Sequence, residues 1–251
     1  MRPGRVPVAG LGVDAVGFAE AVDRVVAWAR RRESRYVCAA NAHMVVAAHE
    51  DASFRAVMEG ADLVVPDGMP LVWLLRRAGV RGQERVAGPD LMLALCGRAA
   101  AEGLPVGLYG GTPETLAKLA ARLASRFPGL RIAYRHAPPF HPLGPGEDAR
   151  VVEAIGRSGA RILFVGLGCP KQERWMAEHR GRVRAVMLGV GAAFDFHAGA
   201  RRRAPPWMQR AGLEWLWRLG SEPRRLWRRY LVGNARFLWY ATRARRMRRA
   251  G

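Results

Sequence analysis

Lysine, cysteine and long apolar runs are scarce in this chain of 251 residues. Only two lysines occur, Lys118 and Lys171, so the basic character comes almost entirely from arginine. The three cysteines form no CxxC motif and no Cys/His cluster, which argues against a disulfide framework or a structural zinc site and is typical of a reducing compartment. No run of about 18 apolar residues is present, so we expect no membrane-spanning segment, and the first residues lack the apolar core of a signal peptide.

Serine is also scarce, and the chain contains no Gly-x-Ser-x-Gly motif, which argues against acyl-transfer chemistry. The six histidines have no metal-ligand spacing and no DxD motif occurs, so we expect no bound metal ion. Half of the residues are hydrophobic, and the length suffices for one large domain or two small ones with a sizeable core.

Positive charge is concentrated at the C-terminal end. The net charge is +20, and the stretch from Arg201 to Gly251 contributes +13, with 15 arginines against two glutamates. Five of the eight tryptophans also follow residue 200. Arginine interleaved with aromatic residues is typical of a surface that binds an anionic membrane, although nucleic acids are bound by the same chemistry. We therefore predict a catalytic domain at 1–200 and a helical, membrane-associating appendage at 201–251, with nucleic-acid binding as the alternative.

Apolar runs alternate with amphipathic segments before residue 200. This alternation predicts an α/β fold with a mostly parallel, Rossmann-like sheet flanked by helices, and ligands at the carboxyl ends of the strands. The predicted strands are Arg35 to Ala40, Ala61 to Val65, Val106 to Tyr109, Arg131 to Tyr134, Ile162 to Val165 and a run starting at Val186. A loop is predicted at His136 to Gly146, and tail helices at Trp207 to Leu219 and Arg224 to Arg249.

Two glycine turns follow neighbouring predicted strands. Gly166 and Gly168 precede Lys171 at the start of a helix, and Gly191 lies in a similar turn after the last strand. Free N–H groups and the helix dipole make such a turn an anion site. Tight packing between strand and helix is an equally common reason for the glycines. A nicotinamide oxidoreductase is the rival enzyme class, but the third glycine of the dinucleotide fingerprint is missing.

Two carboxylates follow predicted strands. Asp67, between Pro66 and Gly68, is a candidate general base, and the alternative that it caps the next helix is equally favoured. Asp195 is placed to recognise a ribose or base, and the alternative is a loop carboxylate paired with an arginine of 201–203.

Long motifs in this chain closely resemble those of the WecG/TagA/CpsF glycosyltransferases of bacterial surface-polysaccharide assembly. They are Asn41, Pro66-Asp67-Gly68, Glu84 to Leu91, Gly166 to Glu173, Gly189 to Asp195, Arg202 to Pro205, Trp207 to Gln209, Gly212 to Trp215 and Glu222 to Leu226.

The resemblance implies an inverting, metal-independent transfer of N-acetylmannosamine or a related sugar from a UDP-sugar to a sugar on a polyprenyl diphosphate. No cofactor is implied. The tail would seat the enzyme on the cytoplasmic face of the cell membrane, without nucleic acid as a partner. The exact sugar, the acceptor and the polymer stay open, and a homo-oligomer is compatible with the sequence.

The resemblance also assigns residues. Asp67 matches the proposed base of the family, and Asn41, Arg85 and Gln172 match its other polar active-site positions. Together with the glycine turns, the residues expected to bind substrate are Gly166, Gly168, Lys171, Gly191, Asp195, Arg224 and Arg225. One departure is Ala39, where relatives commonly carry threonine, so that this pocket lacks a hydroxyl group.

Overall fold

The computed structural model describes residues 4–139, 141 and 143–250, with side chains as far as Arg243. Within that part of the chain the strands are β1 (Arg5–Val8), β2 (Leu11–Asp14), β3 (Arg35–Ala40), β4 (Leu63–Pro66), β5 (Val106–Gly110), β6 (Ile132–His136), β7 (Ile162–Gly166) and β8 (Val186–Gly189). Met1 to Pro3, Phe140, Pro142 and Gly251 belong to segments discussed above and lie outside the described residues.

The helices alternate with these strands until residue 200 and then follow one another. They are α1 (Phe18–Arg30), α2 (Ala42–Glu50), α3 (Ala52–Gly60), α4 (Met69–Arg77), α5 (Gly88–Glu102), α6 (Pro113–Arg126), α7 (Pro145–Ser158), α8 (Lys171–Glu178), α9 (Ala193–Ala198), α10 (Pro206–Arg210), α11 (Glu214–Ser221), α12 (Pro223–Trp227) and α13 (Gly233–Ala250). A π-helical turn at Arg228–Val232 joins the last two.

Six strands form one parallel sheet in the order β4-β3-β8-β7-β5-β6. The residues from Ile162 to Val165 in β7 are fully buried, as expected for a central parallel strand covered by helices on both faces. The register pairs Gly110 with Gly166 and Val165 with Gly189, so the glycine-rich ends of three strands reach the same edge. The predicted parallel α/β fold is confirmed.

By its internal contacts the chain divides into two compact units. The first contains the N-terminal segment as far as Gly17, Ala39–Ala87 and everything from Arg203 onward. The second contains Phe18–Cys38 and Gly88–Arg202. The tail thus shares a unit with the β1–β2 hairpin, helices α2 to α4 and strand β4.

Several elements differ from the sequence-based expectations. The hairpin of β1 and β2, helix α3 and helix α9 were not predicted. The hairpin strands are too short to show a clear pattern, because each has four residues and one contains a proline. The turn between them places Ala9 and Gly10 in the left-handed region, at φ 45° and 86°. The predicted loop starts too early, since β6 continues to His136.

The first tail helix was predicted as continuous, and the structure divides it. Helices α10 and α11 are separated at Gly212, whose φ of 73° favours glycine. A Cβ atom at Gly212 would also meet the ring of Trp73 at 2.8 Å. The remaining tail is helical from Pro223 to Ala250, and Leu226, Tyr230 and Phe237 bury their side chains within the first unit.

One buried ion pair ties the hairpin to the loop before β4. The Arg5 Nε atom lies 3.2 Å from Asp14 Oδ2, and its terminal nitrogens donate to the carbonyl oxygens of Glu59 and Ala61. Asp14 Oδ2 in turn accepts a 2.6 Å hydrogen bond from the backbone N–H of Val64. The Arg5 side chain is completely buried. Removing it would therefore leave the Asp14 carboxylate and the two carbonyl groups without their arginine partner.

We expect Arg5→Met to lower the free energy of unfolding by about 3–5 kcal/mol, the usual cost of breaking a buried pair. The matched control is Arg24→Met, which removes an exposed ion pair with Glu20 and should cost less than about 1 kcal/mol. Urea unfolding followed by circular dichroism measures both. Equal unfolding midpoints for the two variants would contradict the structural role of Arg5.

Candidate active site

Asn41 occupies the one-residue turn between β3 and α2. Its backbone is extended, and its side-chain oxygen accepts a hydrogen bond of 3.3 Å from the backbone N–H of Met44, which caps the helix. The cap engages only the oxygen, so the two amide N–H donors are available to a ligand.

Asp67 follows β4 directly and is held by its backbone on both sides. Its N–H donates to the carbonyl of Ala40 at 2.8 Å, and its own carbonyl accepts from Arg85 Nε. The alternative that Asp67 caps α4 is wrong, because the N-cap position is occupied by Gly68 and carries no side-chain cap. The Asp67 carboxylate therefore does not cap helix α4.

Arg85 bridges two carboxylates from distant parts of the chain. Its Nη2 atom lies 3.3 Å from Asp67 Oδ1 and 2.7 Å from Glu214 Oε2. All three side chains are about one-fifth exposed, so the charges are only partly hydrated. Glu214 lies in the first turn of α11. It belongs to the motif Gly212 to Trp215, but the sequence analysis assigned it no role in the site.

Burial raises the pKa of the Asp67 carboxyl above its usual value, and the negative charge of Glu214 adds to that rise. The positive charges of Arg85 and Arg203 act in the opposite direction and offset only part of it. Burial lowers the pKa of Arg85, but the two carboxylates more than compensate, so the net pKa is raised and the guanidinium stays charged. An aspartate with a raised pKa, beside a fixed cation, is a suitable proton acceptor near neutral pH.

A cavity of about 120 Å³ opens over these side chains. It is smaller than the roughly 300–1,000 Å³ of a typical cleft for a drug-sized ligand, and it is open to solvent on one side. Its lining includes Asn41, His43, Asp67, Arg85, Gln209, Glu214, Trp215, Arg218, Arg229 and Tyr230.

His43 also belongs to this lining, although nothing in the sequence distinguishes it from a surface or core histidine. Burial and the nearby positive charge of Arg229 lower its pKa to about 4. At neutral pH its imidazole is therefore uncharged and offers one donor and one acceptor.

Gln172 connects the two glycine turns of the second unit. Its Oε1 atom accepts hydrogen bonds from the backbone N–H of Gly168 at 3.2 Å and of Gly191 at 3.1 Å, and its Nε2 donates to Glu173 Oε1 at 2.7 Å. The side chain is buried. Gln172 thus holds the turns after β7 and β8 together.

The glycines themselves are required by close packing and by backbone conformation. A Cβ atom at Gly166 would lie 2.6 Å from the ring of Phe194, and Gly168 has a φ of 78°. Lys171 is exposed at the first position of α8. Its ammonium group is therefore accessible to an anion in solution.

Asp195 lies inside α9 and not in a loop. Its carboxylate pairs with Arg201 Nε at 3.1 Å, which is the pairing that the sequence left as an alternative. Both side chains are about one-third exposed, so this contact is a weak surface ion pair. Recognition of a ribose or base by Asp195 stays a prediction.

Arg224 and Arg225 do not line the cavity with Asp67. Both are exposed on α12, and Arg225 Nε forms an ion pair with Glu222 Oε2 at 2.7 Å. The tail arginines of the cavity are Arg218 and Arg229. The sequence showed that the tail is rich in arginine, but their selection depends on how the helices pack.

Residues 4–139, 141 and 143–250 contain no cluster of three or more His, Cys, Asp or Glu side chains suited to a metal ion. None of their helices is both long enough and apolar enough to cross a bilayer.

Comparison with protein families gives one match that covers nearly the whole chain. The family is described as the glycosyl transferase WecG/TagA/CpsF family, and its model matches residues 6–251. The match includes both glycine turns, the Asp67 segment and the tail.

The raised pKa of Asp67 has a consequence for stability. The native state holds this proton more tightly than the unfolded chain, so ionisation of Asp67 reduces stability as the pH rises above about 4. We expect Asp67→Asn to melt at a higher temperature than the parent protein at pH 8, and the two to converge near pH 4. Asp23→Asn, at a side chain 64% exposed, is the control and should show no such gain. A gap that is the same at every pH would refute the raised pKa.

Proposed function

The chain belongs to the WecG/TagA/CpsF family of glycosyltransferases, and from this membership we propose an inverting transfer from a UDP-sugar to a sugar on a polyprenyl diphosphate. The donor sugar would be N-acetylmannosamine or a related hexose. The observation that supports the chemistry is the carboxylate of Asp67, about one-fifth exposed beside Arg85 in a cavity that arginines also line.

The proposed reaction is a single displacement. Asp67 accepts the proton of the acceptor hydroxyl while that oxygen forms a bond to the anomeric carbon. The bond between this carbon and the UDP oxygen breaks, and UDP leaves with the electron pair. One attack from the face opposite the leaving group inverts the configuration, so one base is sufficient. The second carboxylate of the cavity, Glu214, is engaged by Arg85.

Negative charge develops on the departing diphosphate and requires cations or N–H donors. Arg85, Arg218 and Arg229 line the same cavity as Asp67 and can supply positive charge. Together with the donors of Asn41 and neutral His43, they support a reaction that needs no metal ion. We include metal independence in the proposal. Arg224, Arg225, Lys171 and the glycine turns stay proposed contacts to the substrate.

Ala39 lies two residues before Asn41 and contributes only a methyl group. We propose that the missing hydroxyl at this position affects which donor sugar is used, because an unsatisfied sugar hydroxyl at such a site costs binding energy.

We also propose that the tail binds the cytoplasmic face of the cell membrane. The stretch from Arg224 to Arg249 carries ten arginines and no acidic residue. Among its described side chains, Trp227, Leu231, Leu238 and Trp239 expose 48%, 55%, 63% and 53% of their area, which is unusual for large apolar groups. Exposed apolar groups between arginines suit the interface of an anionic bilayer.

The reaction is tested with Asp67→Asn. Turnover of a UDP-sugar with a short polyprenyl-diphosphate-linked acceptor should fall about 10²–10⁴-fold, the range for losing a positioned base. Stabilisation of the fold by UDP in a thermal-shift assay should persist, because a ligand that binds only the native state raises the melting temperature.

Asp23→Asn is the control, and all assays are run with and without EDTA. Near-normal turnover of Asp67→Asn would refute the base, and activity that EDTA abolishes would refute metal independence. Stabilisation by NAD in place of UDP would favour an oxidoreductase.

Membrane binding is tested by substitution and not by truncation, because buried Leu226, Tyr230 and Phe237 anchor the tail in the first unit. The triple variant Leu231→Ser/Leu238→Ser/Trp239→Ser should lose most of its co-sedimentation with anionic vesicles, and binding of the parent protein should weaken as salt is raised.

Trp73→Ser removes an aromatic group on α4 that is 45% exposed and whose ring lies against Gly212, so it controls for a disturbance of tail packing without loss of the apolar tail face. Equal pelleting of the triple variant and the parent would contradict the membrane role. Tight, salt-sensitive binding of oligonucleotides without vesicle binding would favour a nucleic-acid partner.

A further inference from the structure

Arg85 makes its closer ion pair with Glu214 and a longer one with the Asp67 carboxylate. Its Nε donates to the main-chain carbonyl of Asp67, and its Nη2 makes the shorter of its two ion pairs, at 2.7 Å, with Glu214. The contact with Asp67 Oδ1, from the same Nη2 atom, is 3.3 Å long. Charge-assisted hydrogen bonds of this type are usually about 2.7–2.9 Å, so the contact with Asp67 is stretched and the one with Glu214 is not.

The difference matters for a base. A carboxylate tightly paired with arginine is stabilised in its charged form and is a poor proton acceptor, because a lower pKa reduces the driving force for proton transfer. An arginine that pairs more closely with another carboxylate can still orient the base without strongly lowering the pKa of that base.

We propose that Glu214 is a positioning residue, which draws the Arg85 guanidinium away from the Asp67 carboxylate and so keeps that carboxylate ready to take the proton of the acceptor. The proposal rests on the proposed function for its catalytic part. Glu214 itself does not transfer the proton. It acts through Arg85 and through the repulsion between two negative charges.

The charged groups around Asp67 have been considered together. Arg85, Glu214 and Arg203 influence its carboxyl directly, and His43, Arg218 and Arg229 line the same cavity. Burial and Arg229 lower the pKa of His43 to about 4, so its imidazole is uncharged near neutral pH, whereas burial raises the pKa of Asp67. A shift of the acid limb of activity near neutral pH therefore reports on Asp67.

The arrangement links the tail to the chemistry. Glu214 begins α11, in the part of the chain after residue 202, whereas Asp67 and Arg85 flank α4. Because the ion pair of Glu214 needs α11 in place, a displaced α11 would release Arg85 to pair fully with Asp67. The base would then be weak until the tail is seated.

The primary experiment is the pH profile of kcat/KM for Glu214→Gln, which keeps the size of the side chain and removes its charge. We expect the acid limb to move toward lower pH by about one unit and the plateau to fall about 10-fold, less than the loss of the base itself. Glu214→Asp restores the charge and should move the acid limb back toward that of the parent. Glu153→Gln removes an exposed glutamate on α7 and should leave the profile unchanged.

A merely structural role of Glu214 is separated by a double-mutant cycle. In the Asp67→Asn background, Glu214→Gln should lower the residual turnover no further, since there is no base left to tune. If Glu214 only seats α11, the second substitution will reduce the residual activity as much as it does in the parent protein. That result, or an acid limb unmoved in Glu214→Gln, would overturn the proposal.

A third measurement does not depend on activity. The gap in melting temperature between the parent and Asp67→Asn is followed from pH 4 to 8, and then repeated with Glu214→Gln in both proteins. We expect the gap at pH 8 to shrink or change sign when Glu214 is neutral, because Arg85 then stabilises the charged Asp67. An unchanged gap would contradict the positioning role. If no UDP-sugar is turned over by the parent protein, the proposed reaction fails, while this measurement still decides the role of Glu214.

Discussion

The ion pairs of Arg85 are the interaction on which the candidate site depends. A guanidinium offers five donors in one plane, and here they engage the main chain of Asp67, its carboxylate and Glu214. A lysine could provide the charge but not this fixed fork. Three segments that are far apart in sequence are thereby held at one cavity.

The glycine turns in the second unit illustrate a different constraint, that of backbone approach. Gly110 and Gly166 face each other so closely that a Cβ atom at Gly110 would lie 2.6 Å from the carbonyl of Gly166. Gln172 satisfies N–H groups of the two turns after β7 and β8 with a single oxygen atom. The geometry of these turns is thus kept by buried strands and by one buried amide, at the edge of the sheet where parallel folds generally bind ligands.

The tail has two faces that serve different purposes. Its buried residues, together with the stacked rings of His49 and Tyr240 at 3.9 Å, fasten it to α2 within the first unit. Its exposed face carries large apolar side chains and arginine, a combination suited to a bilayer surface. The same segment supplies Glu214, Arg218 and Arg229 to the cavity. One run of helices would therefore meet the membrane with one surface and the substrate with another.

The sequence alone determined the parallel sheet, because apolar runs of five residues alternating with amphipathic helices have few other ways to be buried. It also determined that Asp67 and the glycine turns follow strands, since a carboxylate or glycine at the end of an apolar run is visible locally. Only the tertiary structure decided that Gly68 caps α4, that Asp195 pairs with Arg201 inside a short helix, and that Arg218 and Arg229 line the cavity while Arg224 and Arg225 do not. The physical reason is that hydrophobic periodicity and turn residues are encoded over a few neighbouring positions, whereas ion pairs such as that of Arg85 with Glu214 join residues 129 positions apart and arise only when the helices pack.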